Sequence, residues 1–116
     1  MKTNRVVKFH DVGLMDYKQC WDLQEKLFEK TIQQKIANRD LPEDQQVLTE
    51  NHLIFVEHPH VYTLGKSGDE KHLLLNQTEL QKADAVYYRI NRGGDITYHG
   101  PGQLVAYPIL DLDHFF

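Results

Sequence analysis

The sequence is poor in cysteine, in positive charge and in long apolar runs. Cys20 is the only cysteine among 116 residues, which excludes a disulfide framework and a cysteine-based metal site within the chain. The net charge of -4 argues against a sequence-nonspecific nucleic-acid binder, because such proteins need a basic surface to displace counterions from phosphates. No apolar run approaches the roughly eighteen residues that span a bilayer, and no signal peptide is recognisable. These absences predict a cytoplasmic protein that binds neither nucleic acid nor membrane.

Hydrophobic periodicity and turn residues divide the chain into five strands and two helices. The longer helix, from Asp16 to about Arg39, has apolar residues at spacings of three, four and seven, whereas the apolar run 53–56 is typical of a strand buried on both faces. A shorter helix from Asn76 to about Ala83 begins with a possible capping box. The predicted strands are 5–12, 51–57, 61–64, 85–90 and 103–109. This order predicts an α/β (α+β) domain with a mixed or antiparallel sheet flanked by helices.

The segment from Arg92 to Tyr107 contains four of the seven glycines in the chain. A turn between two strands needs only two to five residues, so about twelve residues of glycine-rich loop favour a binding function. Gly93 and Gly94 allow the backbone to come close to a ligand and to present N–H groups to a carbonyl oxygen or an oxyanion. The alternative is that the glycines only form turns and that the polar side chains serve the loop itself.

Three polar side chains of this segment could contact a ligand. Arg92 supplies a cationic fork, Thr97 a hydroxyl, and His99 an imidazole that can donate or accept a hydrogen bond. The Gly-Pro-Gly sequence at 100–102 predicts a tight turn, after which one strand face would present Gln103, Val105 and Tyr107.

Other candidate residues carry weaker predictions. A metal site formed by His52, His58 and His60 is the less favoured alternative, because Pro59 prevents helical ligand spacing and no acidic cluster accompanies the histidines. Cys20 lies on the apolar stripe of the longer helix and is predicted to be a buried packing residue. Lys66 follows a strand and is either a solvated loop lysine or part of the wall of a site.

Two stretches resemble the signatures of a known family. The run Arg92-Gly93-Gly94-x-x-Thr97-x-His99-Gly100-Pro101-Gly102-Gln103-Leu104-Val105-x-Tyr107-Pro108 resembles that of the lipoyl (octanoyl) transferases of the LipB family. The run Glu57-His58-Pro59-x-Val61-Tyr62-Thr63-x-Gly65-Lys66 resembles the second characteristic stretch of that family. The resemblance implies a biotin/lipoate protein ligase-like (class II synthetase-like) fold, with 1–116 as the N-terminal portion of one catalytic domain.

The resemblance also implies a reaction. In it, an octanoyl group passes from acyl carrier protein to a lysine of the lipoyl domains of 2-oxoacid dehydrogenases or of the glycine-cleavage H protein. This is the first step of protein lipoylation, and it uses neither ATP nor a metal. The substrate-binding residues that the resemblance implies are Arg92, Gly93, Gly94, Asp95, Ile96, Thr97, Tyr98, His99, Gln103, Tyr107 and Lys66.

The catalytic residues of that family have no counterpart in this chain. The family uses a cysteine thiolate and a nearby lysine, and neither Cys20 nor any lysine here matches their motifs, so both are expected beyond Phe116. The 116 residues alone are therefore predicted to have no transferase activity. Two alternatives remain: an ATP-dependent lipoate or biotin-type protein ligase, whose Arg-Arg-x-x-Gly-Gly-Gly or Gly-Arg-Gly-Arg-x-Gly patterns are absent, and a non-catalytic module that binds acyl groups or acyl carrier protein.

Overall fold

The computed structural model describes residues 2–66, 68, 73, 76–90 and 94–116. The chain forms two compact units. The first comprises Met1–Gly13, Lys18–Val56 and Val105–Phe116. The second comprises Leu14–Tyr17 and Glu57–Leu104. Arg92 and Gly93, both predicted to bind substrate, lie outside the described residues.

Strands and helices mix along the described chain, as predicted for an α/β domain. The elements in order are β1 (Val7–Leu14), α1 (Tyr17–Asn38), β2 (Asn51–Glu57), β3 (Val61–Leu64), α2 (Gln77–Lys82), β4 (Val86–Arg89), β5 (Ile96–His99) and β6 (Val105–Ile109). Single 3₁₀ turns lie at Glu43–Gln45 and Leu112–His114. None of the helices in the described ranges is long and apolar enough to cross a membrane.

The first unit contains a three-stranded sheet in the order β1-β2-β6. β2 and β6 are antiparallel, with Ile54 opposite Tyr107 and Val56 opposite Val105. Ile54 and Val56 are buried, but Phe55 and its neighbours on the other face of β2 are only half-buried. The prediction that β2 is buried on both faces is therefore wrong. Although residues 53–56 are all apolar, their burial alternates along the strand: one face is buried in the core and the other is partly exposed to solvent.

Helix α1 forms where its periodicity predicts, but it buries less than its apolar stripe implies. Cys20 is the one buried residue of the helix. Phe28 and Ile36, which helical periodicity places on the same apolar stripe as Cys20, are 58% and 45% exposed. Periodicity identifies which residues share a helix face, but it does not determine how much of that face another element covers.

A buried polar network connects the end of the first unit to α1 and to the start of β2. The carboxylate of Asp111, 6% exposed, accepts hydrogen bonds from the Thr49 hydroxyl and from Lys35 Nζ at 3.0 Å. The backbone N–H of Asp111 donates to Asn51 Oδ1 at 2.9 Å. Lys35 also reaches Asp113 at 2.6 Å. Each buried group thus has a partner, which burial of polar groups requires.

The second unit contains a mixed three-stranded sheet in the order β4-β3-β5. β3 is parallel to β4 and antiparallel to β5. Helix α2 lies between β3 and β4 in sequence, and the Asn76 and Glu79 side chains form the predicted capping box at its start. The mixed sheet agrees with the predicted fold class.

Strand β5 corrects the prediction of a long loop between 92 and 103. Ile96, Thr97, Tyr98 and His99 pair with all four residues of β3. These β-branched and aromatic residues have strong strand propensity, and the glycines on either side obscured it.

Candidate substrate-binding site

Strand β5 divides the predicted site residues between the two faces of its sheet. Thr97 pairs with Thr63, and His99 pairs with Val61. Ile96 and Tyr98 alternate with them along the strand. Ile96 pairs with Leu64, and Tyr98 pairs with Tyr62. Because successive side chains of a strand point to opposite faces, Thr97 and His99 share one face and Ile96 and Tyr98 share the other. Four consecutive predicted residues therefore cannot all contact one ligand through their side chains.

The face that carries His99 also carries three other rings. The ring centroid of His99 lies 6.1 Å from that of His58. The His58 ring packs edge-on against Tyr17 at 5.2 Å, and Tyr17 lies 5.5 Å from Tyr88. These contacts join Tyr17, His58, Tyr88 and His99 into one cluster of rings, in which His58 is fully buried and the other three rings are half-buried. Such a cluster suits a mostly apolar ligand held by a few polar anchors.

His58 is a member of this cluster that was considered for a metal site but is not among the predicted substrate-binding residues. It is fully buried and its Nδ1 lies 2.8 Å from the backbone oxygen of Met15. A carbonyl oxygen only accepts, so Nδ1 carries the proton. Burial lowers the pKa of His58, although the hydrogen bond to Met15 acts in the opposite direction. The useful sequence clue was a histidine placed directly after a buried strand and before a proline.

The end of β5 leads into a hydrogen-bonded turn that returns to His99. The N–H of Gln103 donates to the Gly100 oxygen at 3.1 Å, and Gly102 has a φ of +88°. Proline followed by a glycine with positive φ is the signature of a type II turn. The Gln103 Oε1 atom lies 2.8 Å from His99 Nδ1. The prediction that Gln103 shares a strand face with Tyr107 is wrong, because β6 begins only at Val105.

The other end of β5 lies beside the turn that follows β3. The N–H of Gly65 donates to the backbone oxygen of Asp95 at 3.0 Å, so the exposed Lys66 and Asp95 lie at the same end of the sheet. Gly94, with a φ of +92°, makes the preceding bend in a conformation that favours glycine. The structure thus brings together three predicted site residues from two separate stretches of sequence.

The last predicted substrate-binding residue and the cavity beside α2 involve elements other than β5. Tyr107 belongs to β6 in the first unit, where it lies opposite Ile54. A cavity of 590 Å³ in the second unit lies beside α2 and is lined in part by Leu80, Val86 and Tyr87. None of the predicted substrate-binding residues that the structure describes lines that cavity.

Cys20 is a packing residue, as predicted. Its side chain is fully buried in the first unit, and Gln24 Nε2 lies 3.6 Å from the sulfur. Burial raises the pKa of the thiol, and the hydrogen bond from Gln24 only partly offsets this. A thiol with a raised pKa is a poor nucleophile because the thiolate is the reactive form.

The histidines considered for a metal site belong to two different units. His52 belongs to the first unit, where its Nδ1 lies 2.9 Å from His10 Nε2, whereas His58 and His60 belong to the second. Within the described part of the chain, no group of three or more histidine, cysteine, aspartate or glutamate side chains could hold a metal ion.

Comparison with known proteins identifies the family to which this chain belongs. Residues 16–116 match the lipoyl protein ligase A/B catalytic domain. The chain is 66% identical over 114 residues to the octanoyltransferase of Cytophaga hutchinsonii, covering 98% of this chain and 47% of that protein. It is 57% identical over 113 residues to the octanoyltransferase of Christiangramia forsetii, covering 97% and 47%.

A more distant relative gives the same result. The octanoyltransferase of Bacteroides fragilis is 47% identical over 105 residues, covering 90% of this chain and 44% of that protein. The chain thus spans about half the length of the curated relatives it matches. It belongs to the lipoyl protein ligase A/B catalytic domain family.

Proposed function

We propose that the full-length protein is a cytoplasmic octanoyltransferase that acts in protein lipoylation. It takes an octanoyl group from the phosphopantetheine thioester of acyl carrier protein and transfers it to a lysine of a lipoyl domain. The acceptors are the lipoyl domains of 2-oxoacid dehydrogenases and the glycine-cleavage H protein. The observation that carries this proposal is the 66% identity, over 98% of the chain, to a protein named octanoyltransferase.

The residues of β5 and its flanking turns form part of the acyl-binding wall in this proposal. Transfer from a thioester requires donors near the thioester oxygen, and the glycine-rich sequence Arg92-Gly93-Gly94 has residue types that suit that role. The aromatic face beside His99 offers an apolar surface for the acyl chain. Burial of an eight-carbon chain contributes roughly 0.8 kcal/mol per methylene, which suffices to select a medium-length chain without a charged contact.

The bond-making residues lie outside these 116 residues in this proposal. A cysteine thiolate from the remainder of the full-length protein attacks the thioester carbonyl, and the phosphopantetheine thiol leaves. The lysine amine then attacks the acyl-cysteine, releases the thiolate and loses a proton. Cys20 does not take this role, because its buried thiol has a raised pKa. The reaction consumes no ATP and needs no metal, because the thioester already activates the acyl group.

A mass measurement tests this function. The full-length protein is incubated with octanoyl-loaded acyl carrier protein in the absence of ATP, and its intact mass is read before and after hydroxylamine treatment. We expect the gain of one octanoyl group that hydroxylamine removes. Addition of a lipoyl domain should then discharge the enzyme and acylate one lysine.

Two other outcomes contradict the proposal. Acylation of the lipoyl domain only with ATP and free octanoate supports an ATP-dependent ligase, to which the family description also extends. Binding of the acyl carrier protein without transfer under either condition supports a binding module.

A further inference from the structure

The hydrogen bond between His99 and Gln103 fixes which ring nitrogen of His99 carries the proton. Gln103 Oε1 is an amide oxygen and can only accept, so His99 Nδ1, 2.8 Å away, is the donor. A neutral imidazole has one N–H, and Nε2 therefore keeps a lone pair. Among the residues that the structure describes, none forms a hydrogen bond with His99 Nε2.

The backbone presets Gln103 for this contact. The turn closed by the Gln103 N–H and the Gly100 oxygen places Gln103 beside the residue four positions earlier. Gly102 adopts a φ of +88°, which a residue with a side chain would take only with strain. The turn thus fixes the backbone of Gln103 close to His99, within reach of its side-chain amide.

A second contact fixes the start of the same turn. On the opposite sheet face, the Tyr98 hydroxyl is hydrogen bonded to His60 Nδ1, and the two rings stack with centroids 6.0 Å apart. Gly100 is buried directly against this pair. The turn that carries Gln103 is therefore anchored to the segment between β2 and β3.

We propose that Gln103 is a positioning residue that holds His99 with its proton on Nδ1, so that Nε2 accepts a hydrogen bond from an N–H group of the substrate. This inference rests on the proposed function, in which both substrates carry such groups: the amides of phosphopantetheine and the amine of the acceptor lysine. Gln103 itself then contacts His99 and not the substrate. Fixing the tautomer of a histidine through its other ring nitrogen is a common means of orienting it.

Two variants of Gln103 separate this role from a purely structural one. Gln103→Met has a similar length but removes the acceptor, whereas Gln103→Glu keeps an acceptor oxygen at the same place. Gln81→Met, on the exposed surface of α2, is the matched control for a glutamine-to-methionine change.

The tautomer is read without substrate from two-bond ¹H–¹⁵N correlation spectra of the full-length protein. We expect His99 with its proton on Nδ1 in the unaltered protein, in Gln103→Glu and in Gln81→Met, and a change toward the Nε2–H form in Gln103→Met. An Nε2–H form in the unaltered protein, or an unchanged tautomer in Gln103→Met, overturns the inference.

The two half-reactions identify which N–H group is bound. Loss of the hydrogen bond between His99 Nε2 and the substrate N–H should slow one half-reaction roughly tenfold in Gln103→Met. Gln103→Glu should be much less affected. A slower loading from octanoyl-acyl carrier protein indicates the phosphopantetheine amides, and a slower discharge to the lipoyl domain indicates the lysine amine. Unchanged rates in both overturn the role of Nε2. Failure of the unaltered protein to transfer octanoate refutes the proposed function, while the tautomer spectra still decide the role of Gln103.

Discussion

The hydroxyl of Tyr98 occupies the space into which a side chain at Gly100 would project. A Cβ atom at position 100 would overlap that hydroxyl, would lie 2.7 Å from Tyr98 Cζ and would lie 3.2 Å from His60 Nδ1. Glycine is thus required at this position by packing, whereas Gly102, with nothing within 4 Å, is required by its positive φ. Two glycines of one turn serve different physical purposes.

Gly100→Ala should destabilise the protein by about 1–3 kcal/mol, because the added methyl group forces Tyr98 or the turn to move. Urea denaturation of the full-length protein measures this cost. Tyr98→Val, which removes the obstructing ring, should recover part of it in the double variant.

Gly102→Ala, alone and combined with Tyr98→Val, is the control for the Gly100→Ala measurement. Its cost should be about 1–2 kcal/mol, since it arises from the backbone conformation. Tyr98→Val should not reduce it. Equal rescue of both glycine variants by Tyr98→Val would contradict the packing explanation for Gly100.

Asp111→Asn should remove part of the acid sensitivity of the protein. Burial alone would raise the pKa of Asp111, but hydrogen bonds from Thr49, Lys35 and the Asp113 backbone together lower it below its usual value of 3.8. The ionised carboxylate therefore stabilises the fold above that pH, and this contribution is lost as the pH falls through the lower folded-state pKa. We expect a loss of about 1.5–3 kcal/mol at neutral pH, measured by urea denaturation.

Asp113→Asn is the matched control for this change. The native Asp113 carboxylate also contacts Lys35, but its side chain is 77% exposed. Exposed ion pairs contribute little to the free energy of unfolding. Loss of the Asp113 carboxylate should change stability by less than about 1 kcal/mol at any pH. Equal effects of the two substitutions would show that burial of Asp111 is unimportant.

His58→Gln should weaken the dependence of stability on pH near neutrality. Burial lowers the pKa of His58 below its usual 6.5, so the unfolded chain binds a proton more readily than the folded one. The stabilising effect of the neutral ring is complete above that pH and is lost as the pH falls toward the folded-state value. Free energies of unfolding at several pH values between about 7.5 and 5 test this.

Part of the pH dependence should remain in His58→Gln. Burial and the proximity of His10 also lower the pKa of His52, so His52→Gln should remove a separate share. An unchanged slope in His58→Gln would show that the ring is not buried in its neutral form.

Cys20→Ala should leave the formation of the octanoyl-enzyme unchanged. The thiol is buried and its pKa is raised, so it should also resist alkylation in the native protein and react after unfolding. Removing the sulfur should cost about 1 kcal/mol or somewhat more of stability. Loss of the octanoyl adduct in this variant, with the fold retained, would identify Cys20 as the nucleophile.

Local sequence patterns predicted much of the fold. The bounds of β2 match the prediction, and the capping box of α2 forms from Asn76 and Glu79 as expected. Both depend on residues that are neighbours in sequence. β5 was missed because its four residues become a strand through pairing with β3, a long-range interaction that the flanking glycines gave no reason to expect.

The sequence predicted which segment contains the candidate site residues, but not which of their side chains lie on the same sheet face. The sequence analysis predicted His99 as a binding residue and predicted the turn after it, but the alternation along β5 that separates Thr97 from Tyr98 depends on the register with β3. The burial of His58 against the Met15 carbonyl was equally inaccessible, because it joins residues 43 positions apart. Stretches of sequence show which residues are near each other, but pairing decides which way they face.

The alternation along β5 constrains how this segment can vary in length. Deleting one residue between Ile96 and His99 would exchange the two sets of side chains, moving the histidine to the side now held by Tyr98. It would also shift the tyrosine away from Gly100. Relatives should therefore differ in this stretch by substitution, while insertions and deletions accumulate in the turns outside it.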